Sequence, residues 1–255
     1  MRDFTLSLFQ RLLNDLGHFG YKFTPFNGFL QDPTYENKTI LLLRHDVDRD
    51  AERALRMAEM ENRLGIKATY YFRAKPGFSV EVIAAIAALG HEIGYHYEDL
   101  SRSGGDMNMA IKSFRNNLEK LRTLAPVQTI CMHGSPWSRY DNRDLWKKYS
   151  YRDFGITGEP YFDIDFSQVF YLTDTGRRWD GATVSIRDRV DAGGRQWPVY
   201  RSTPDIIRAV AEGRFPRKAM ITVHPQRWHD CFLPWGIEYL AQNIKNVVKS
   251  FKVRT

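Results

Sequence analysis

The segment Leu41-Leu42-Leu43-Arg44-His45-Asp46-Val47-Asp48-Arg49-Asp50 is an apolar run that ends in a dense cluster of ionisable groups. Asp46 and Asp48 stand two residues apart, so in an extended segment both carboxylates point to the same side. Like charges held that close repel and shift each other's pKa unless a cation lies between them, which makes a bound metal the natural reading. The pattern recurs. His96, followed by Glu98 and Asp99, His133 and His224 each close another apolar run, so four of the seven histidines stand at such ends. Parallel strands bring their C-terminal ends onto one rim, where these groups would meet. The inventory suits a mononuclear metal hydrolase. A lone His at a strand end is more often structural, and Asp48 or Asp50 could simply cap the helix that begins at Ala51; repetition is what favours chemistry.

The elements that must position these groups follow from periodicity. Leu6, Phe9, Leu12, Leu13 and Leu16 recur at helical spacing before Gly17 and Gly20, predicting a helix over 3–17. A loop with Pro25, Gly28 and Pro33 leads to a strand at 39–44, a helix over 51–64 and an aromatic strand at 68–72. Further helices are expected at 79–89, 107–124, 203–213 and 236–251, with strands at 91–94, 127–132 and 219–223. Between 137 and 200 the pattern loosens, with strands suggested near 153–157, 169–173 and 183–186. Alternating strands and helices argue for an α/β fold with a parallel sheet, open or closed, and polar residues at successive strand ends favour the barrel. No tandem repeat or low-complexity linker breaks the chain, so residues 1–255 read as one domain.

Three segments resemble the polysaccharide deacetylases, the NodB-like carbohydrate esterase family 4. Asp46-Val47-Asp48 is similar to the family's first motif, Ala68-Thr69-Tyr70-Tyr71-Phe72 to the strand that follows it, and Gly90-His91-Glu92-Ile93-Gly94-Tyr95-His96 to its "GHEIGxH" motif, the most specific of the three. Met132 to Tyr140 and Thr222 to Trp228 sit where the third and fifth motifs would fall. Arg44-His45-Asp46-Val47-Asp48 with His133-Gly134-Ser135-Pro136 resembles the divergent WbmS-like branch associated with lipopolysaccharide loci.

The resemblance implies a distorted (β/α) barrel that binds a divalent metal, Zn²⁺ foremost, and removes acetyl groups from N- or O-acetylated carbohydrate in cell-surface polysaccharide biosynthesis. It casts Asp46 as general base, Asp48 and His96 as metal ligands and His224 as the acid that protonates the leaving group. The family's second metal His falls at Leu100 here, and Glu98, Asp99 and His133 are the candidates for the missing ligand; Glu98, which shares the face of His96 if the segment is extended, is taken as that ligand and His133 as a catalytic residue. His133 replaces the Arg of the third motif, within reach of Asp46 or the metal, or holds the turn after it. His91 starts its strand, away from the rim, and reads as structural. A carbohydrate-binding barrel that has lost catalysis with the Leu100 replacement is the competing reading.

Around this core the composition sets bounds. At 43% hydrophobic and 14% aromatic residues the chain is globular, and its longest apolar stretches are too short for a membrane span. Met1-Arg2-Asp3-Phe4 opens directly into an amphipathic pattern, from which a cytoplasmic address is expected. Cys131 and Cys231 match no metal-binding spacing and read as reduced thiols. The net charge of +7 suggests affinity for something anionic, such as an acidic glycan, a sugar nucleotide or a membrane surface, yet Lys and Arg are scattered and no nucleic-acid motif appears, so the excess reads mostly as solvated surface. Trp137, Tyr140, Trp179, Trp228 and Trp235 lie near the motif loops, where aromatic faces could stack on sugar rings or pack in the core. Asp174 and Asp180 flank a Gly-containing turn and read as turn formers or as part of a flap over the mouth.

Overall fold

The computed structural model describes residues 2–74, 79–134, 138–180 and 188–253. Seven strands form one sheet: β1 (Lys22–Thr24), β2 (Ile40–Val47), β3 (Thr69–Phe72), β4 (Glu92–Tyr97), β5 (Val127–Met132), β6 (Phe170–Thr173) and β7 (Lys218–Val223). Their order is β5-β4-β3-β2-β7-β6, and every pairing is parallel. β1 pairs with the first half of β2, opposite Ile40 to Leu42, and β3 with its second half, opposite Arg44 to Val47. The α/β class and the parallel sheet are as the sequence predicts.

Strand parity explains the layers. Leu41, Leu43, Tyr70, Phe72, Ile93, Tyr95, Ala219, Ile221 and Val223 pack with the main apolar cluster against the helices. These include α1 (Leu6–His18), α3 (Ala51–Arg63), α4 (Val80–Ala88), α6 (Met107–Arg122) and, later in the chain, α8 (Thr203–Ala211). Each presents buried apolar residues at helical spacing, such as Leu8, Phe9, Leu12, Leu13 and Leu16 of α1. The alternate residues face inward. At the N-terminal end of the sheet the inner face is apolar, where Leu42 and Met220 join Phe26, Ile164, Phe166 and Val169 in a second cluster. Above it lies a polar layer, with the Arg44 guanidinium 5.6 Å from the Tyr71 ring and 5.5 Å from the Tyr161 ring. A filled interior with a polar C-terminal rim is barrel-like, although β5 and β6, the end strands, do not pair among the described residues.

Gly94 has a packing reason. It lies opposite Tyr71 in the β3–β4 register, and a Cβ there would stand 2.3 Å from the Tyr71 ring and 3.1 Å from the Thr129 carbonyl oxygen.

Several boundaries differ from expectation. The loop before β2 contains β1 and a short helix, α2 (Phe26–Gln31), too brief to show a period. The strand expected near 153–157 is instead a 3₁₀ turn, Tyr151–Phe154, and Thr129 then bridges Gly158 in parallel. Short helices α5 (Asp99–Arg102) and α7 (Pro160–Asp163) follow β4 and precede β6. The last helix, α9 (Phe232–Val253), begins earlier than expected. The strand suggested near 183–186 and Trp137 lie outside the described residues. No helix among the described residues is long and apolar enough to cross a membrane.

Candidate active site

The rim at the C-terminal ends of the strands is built by the same parity. Asp46 and Asp48 continue the inner face of β2, His96 that of β4, His133 that of β5 and His224 that of β7. Asp48 is their meeting point. Its Oδ1 lies 3.5 Å from His96 Nε2 and 3.4 Å from His133 Nε2, and its Oδ2 lies 4.0 Å from His224 Nε2. Burial pushes the Asp48 carboxyl up, but His133 and His96 pull it further down, well below the usual carboxylate range. The helix cap is a different residue: Asp50, with φ +60°, accepts from Arg53 N, so Asp48 is not used for capping.

Each imidazole is held from behind. His96 Nδ1 is 3.0 Å from the Cys131 carbonyl oxygen, to which it donates, and Nε2 faces Asp46 and Asp48; burial pushes the imidazole's pKa down, but the charges of these two carboxylates raise it. His133 Nδ1 is 3.2 Å from Glu98 Oε2, and its backbone is pinned by its own N–H to the Tyr97 carbonyl and by Asn142 Nδ2 to the His133 carbonyl. His224 Nδ1 is 2.6 Å from Asp174 Oδ1. Asp174 is fully buried and also accepts from His224 N at 3.0 Å, Trp228 Nε1 at 2.8 Å and Arg227 Nη1 at 2.7 Å. Burial would raise this carboxyl, yet Arg227 and His224 hold it below its ordinary value. An ionised Asp174 can only accept, so the His224 proton resides on Nδ1 and Nε2 faces Asp48.

Asp46 is clamped. Arg44 Nε and Nη2 donate to its two oxygens at 2.8 and 2.7 Å, both side chains are buried, and Oδ2 lies 3.7 Å from His96 Nε2. Burial pushes its carboxyl up, but Arg44 outweighs this and keeps it ionised.

Not all of the expected residues are brought to the rim. His45 has the wrong parity: it is fully buried on the helix side of the sheet, stacked on Tyr70 at 4.2 Å with Nε2 2.7 Å from Glu61 Oε1. Glu98 stands behind His133, engaged by Arg73 at 3.2 and 2.6 Å and by Arg102 at 3.2 Å. Asp99 turns away to Tyr95, Ser113 and Asn117, and Leu100 is buried in the main core. His91 sits between the Ala58 carbonyl and Ala68 N, a structural place. Arg49 pairs with Glu238. Trp179 and Trp228 are core residues packed with Phe4 and Phe9, and Trp235 holds the Asp3 carbonyl and Arg177. Asp174, read from the sequence as a turn former or part of a flap, instead backs His224, a role that sequence reasoning missed. Its only signal was an Asp following the apolar run 169–173, the same signal that marks Asp46.

Among the described residues no three His, Cys, Asp or Glu side chains form a finished metal site. The donor chemistry nevertheless fits a divalent ion. One carboxylate oxygen and two imidazole nitrogens with backed Nδ1 atoms are donors of the kind such an ion takes, and the two spacings from Asp48 Oδ1, 3.4 and 3.5 Å, are near the ligand–ligand edge of about 3.4 Å that tetrahedral bonds of about 2.1 Å require.

Comparison with family models finds no match for this chain, and comparison with curated proteins finds none either. Among solved structures it is similar to a variant, with restored enzymatic activity, of a carbohydrate esterase family 4 pseudoenzyme, at 15% identity and TM-score 0.43, covering 84% of this chain and 64% of the other. The chain thus spans less than two thirds of that relative. It is similar to a peptidoglycan N-acetylglucosamine deacetylase at 17% identity and TM-score 0.42, over 92% of this chain and 89% of the other. A family 4 carbohydrate esterase from Bacillus anthracis aligns at 11% identity and TM-score 0.40, over 93% and 91%. These are distant likenesses of fold, and the chemistry rests on the site itself.

Proposed function

We propose that this protein is a metal-dependent deacetylase of N- or O-acetylated carbohydrate. The observation that carries the reading is the Asp48 carboxylate ringed by the Nε2 atoms of His96, His133 and His224, with the clamped Asp46 beside them. The motif resemblance around Asp46, Gly90 to His96 and His224 supplies the substrate class.

In this reading Asp48, His96 and His133 hold the ion, with His133 taking the place that Leu100 leaves vacant in the motif. A divalent ion there supplies Lewis acidity and lowers the pKa of water. Asp46 accepts the proton of the attacking water. Arg44 fixes its orientation and leaves each oxygen a second lone pair. His224 takes up a proton from solvent at Nε2 and donates it to the departing amine or alcohol, returning to the neutral Nδ1–H imidazole. The buried Asp174 stabilises the imidazolium that must form first, and Arg227 and Trp228 hold Asp174 in place. Glu98 is a positioning residue for His133. Cytoplasmic action on a polysaccharide intermediate belongs to this proposal as well.

The test is acetate release from 4-nitrophenyl acetate and from N-acetylglucosamine oligosaccharides, with and without added Zn²⁺, for the wild type, Asp46→Asn and His224→Ala. The proposal expects metal-stimulated turnover that falls about 100-fold or more in each variant. Wild-type protein loaded with metal that releases no acetate from ester or amide would leave a carbohydrate-binding barrel instead.

A further inference from the structure

Beside His133 lies a cleft of about 450 Å³ lined by Arg73, Arg102, Arg139, Tyr140, Ser101 and Glu98. Its charge is uneven. Three guanidiniums line it with one carboxylate, and Glu98 is already engaged by Arg73 and Arg102. Each guanidinium carries five N–H donors. Arg73 spends two of them on Glu98, Arg102 one on Glu98, and Arg139 one on the Tyr140 hydroxyl at 2.6 Å. Among the described residues these guanidiniums have more N–H donors than Glu98 and Tyr140 take up.

The wall is built in place. Gly105, at φ +91°, lets the Tyr140 ring lie where a Cβ would stand 2.3 Å away, and Arg139 rests 4.9 Å over that ring. Arg73 follows β3 at inner parity and is locked by its paired bonds to Glu98. Such a cleft is larger than a single ion needs and has the size of a small-ligand pocket.

We propose that this cleft is a phosphoryl-binding subsite, so that the acetylated sugar carries a phosphate or diphosphate next to the group that is cleaved. A sugar carboxylate would be satisfied by one guanidinium fork, whereas three guanidiniums lining one cleft offer donors for the several oxygens of a phosphoryl group. His133 lines both this cleft and the Asp48 cluster, so the two adjoin. The position of the acetyl group rests on the deacetylase reading; the anion site itself does not.

The experiment is calorimetric binding of inorganic phosphate, pyrophosphate, N-acetylglucosamine 1-phosphate and neutral N-acetylglucosamine to the wild type, Arg139→Ala and Arg102→Ala. Hydrolysis of neutral 4-nitrophenyl acetate by the wild type is followed in parallel. The expected result is sugar phosphate bound at least 10-fold more tightly than neutral sugar, with pyrophosphate also bound. Arg139→Ala, an exposed position, should lose most of that preference, and so should 0.5 M NaCl. Equal binding of neutral and phosphorylated sugar with no bound pyrophosphate, or binding unchanged in both variants, overturns the subsite. Phosphate binding that depends on Arg139 without ester hydrolysis upholds the subsite and removes the hydrolase reading alone.

Discussion

Replacing Asp174 with Asn keeps the shape of a buried side chain and removes one charge and one acceptor. Its four partners, His224 N, His224 Nδ1, Arg227 Nη1 and Trp228 Nε1, all donate, two to each oxygen. An amide offers one oxygen, so whichever way it turns its NH₂ faces two donors in a site without water access. Turning the NH₂ toward His224 N and Trp228 loses two neutral bonds, about 1 kcal/mol each. It also leaves the buried Arg227 charge without its carboxylate, a loss of about 3–5 kcal/mol for a broken buried pair. That second term is the larger. Together the two terms predict a variant that unfolds with about 5–7 kcal/mol less stability, a Tm drop of roughly 10–28 °C for a chain of this size. The same change deprives the His224 imidazolium of its stabilising partner, so acetyl hydrolysis should fall by about 10²–10⁴-fold even at temperatures where the variant is folded. Urea denaturation and ester hydrolysis at low temperature measure the two effects separately. A Tm within 2 °C of wild type, or activity within about twofold, would refute the reasoning, because either result requires a shell that tolerates a donor.

Three further outcomes follow from the geometry. Glu98→Gln should weaken metal affinity by about 10- to 100-fold in a chelator competition, because the carboxylate behind His133 Nδ1 is lost while the ligands remain. Gly94→Ala should destabilise by about 1–3 kcal/mol in urea, as its methyl meets the Tyr71 ring; a neutral effect would mean that β3 and β4 separate freely there. Glu159 is fully buried and its carboxyl is pushed up by burial to about 7 from the ordinary 4.5. The folded state therefore binds more protons than the unfolded chain between those values, and stability declines as pH rises through that window, by up to about 3 kcal/mol. Glu159→Gln should flatten the decline relative to wild type, as read from denaturation midpoints between pH 4.5 and 8.

Much of this was legible in the sequence, and strand parity explains both the successes and the failures. Apolar runs with abrupt polar ends located β2, β4, β5 and β7 and delivered Asp46, Asp48, His96, His133 and His224 to one rim. The same two-residue period excludes His45, which must face the helices if Asp46 faces inward, but grouping by proximity along the chain hid this. Glu98 keeps the parity of His96, yet the chain bends into α5 immediately after it, and the carboxylate turns toward Arg73. Asp174 could not be chosen over Asp180 because its role depends on Arg227 and Trp228, some 50 residues later, a contact that no local pattern encodes. The elements between 137 and 170 escaped for another reason: 3₁₀ turns and four-residue helices are shorter than any period that would reveal them.

The central claim is that Asp48, His96 and His133 form one metal site, with His133 in the role the motif normally gives to a His at position 100. Metal content after incubation with Zn²⁺ and desalting tests it most directly, for the wild type, His133→Ala and His45→Gln. The account predicts about one equivalent in the wild type and in His45→Gln, whose residue lies on the other face of the sheet, and none in His133→Ala. A full equivalent retained by His133→Ala, or no metal bound by the wild type, would contradict it.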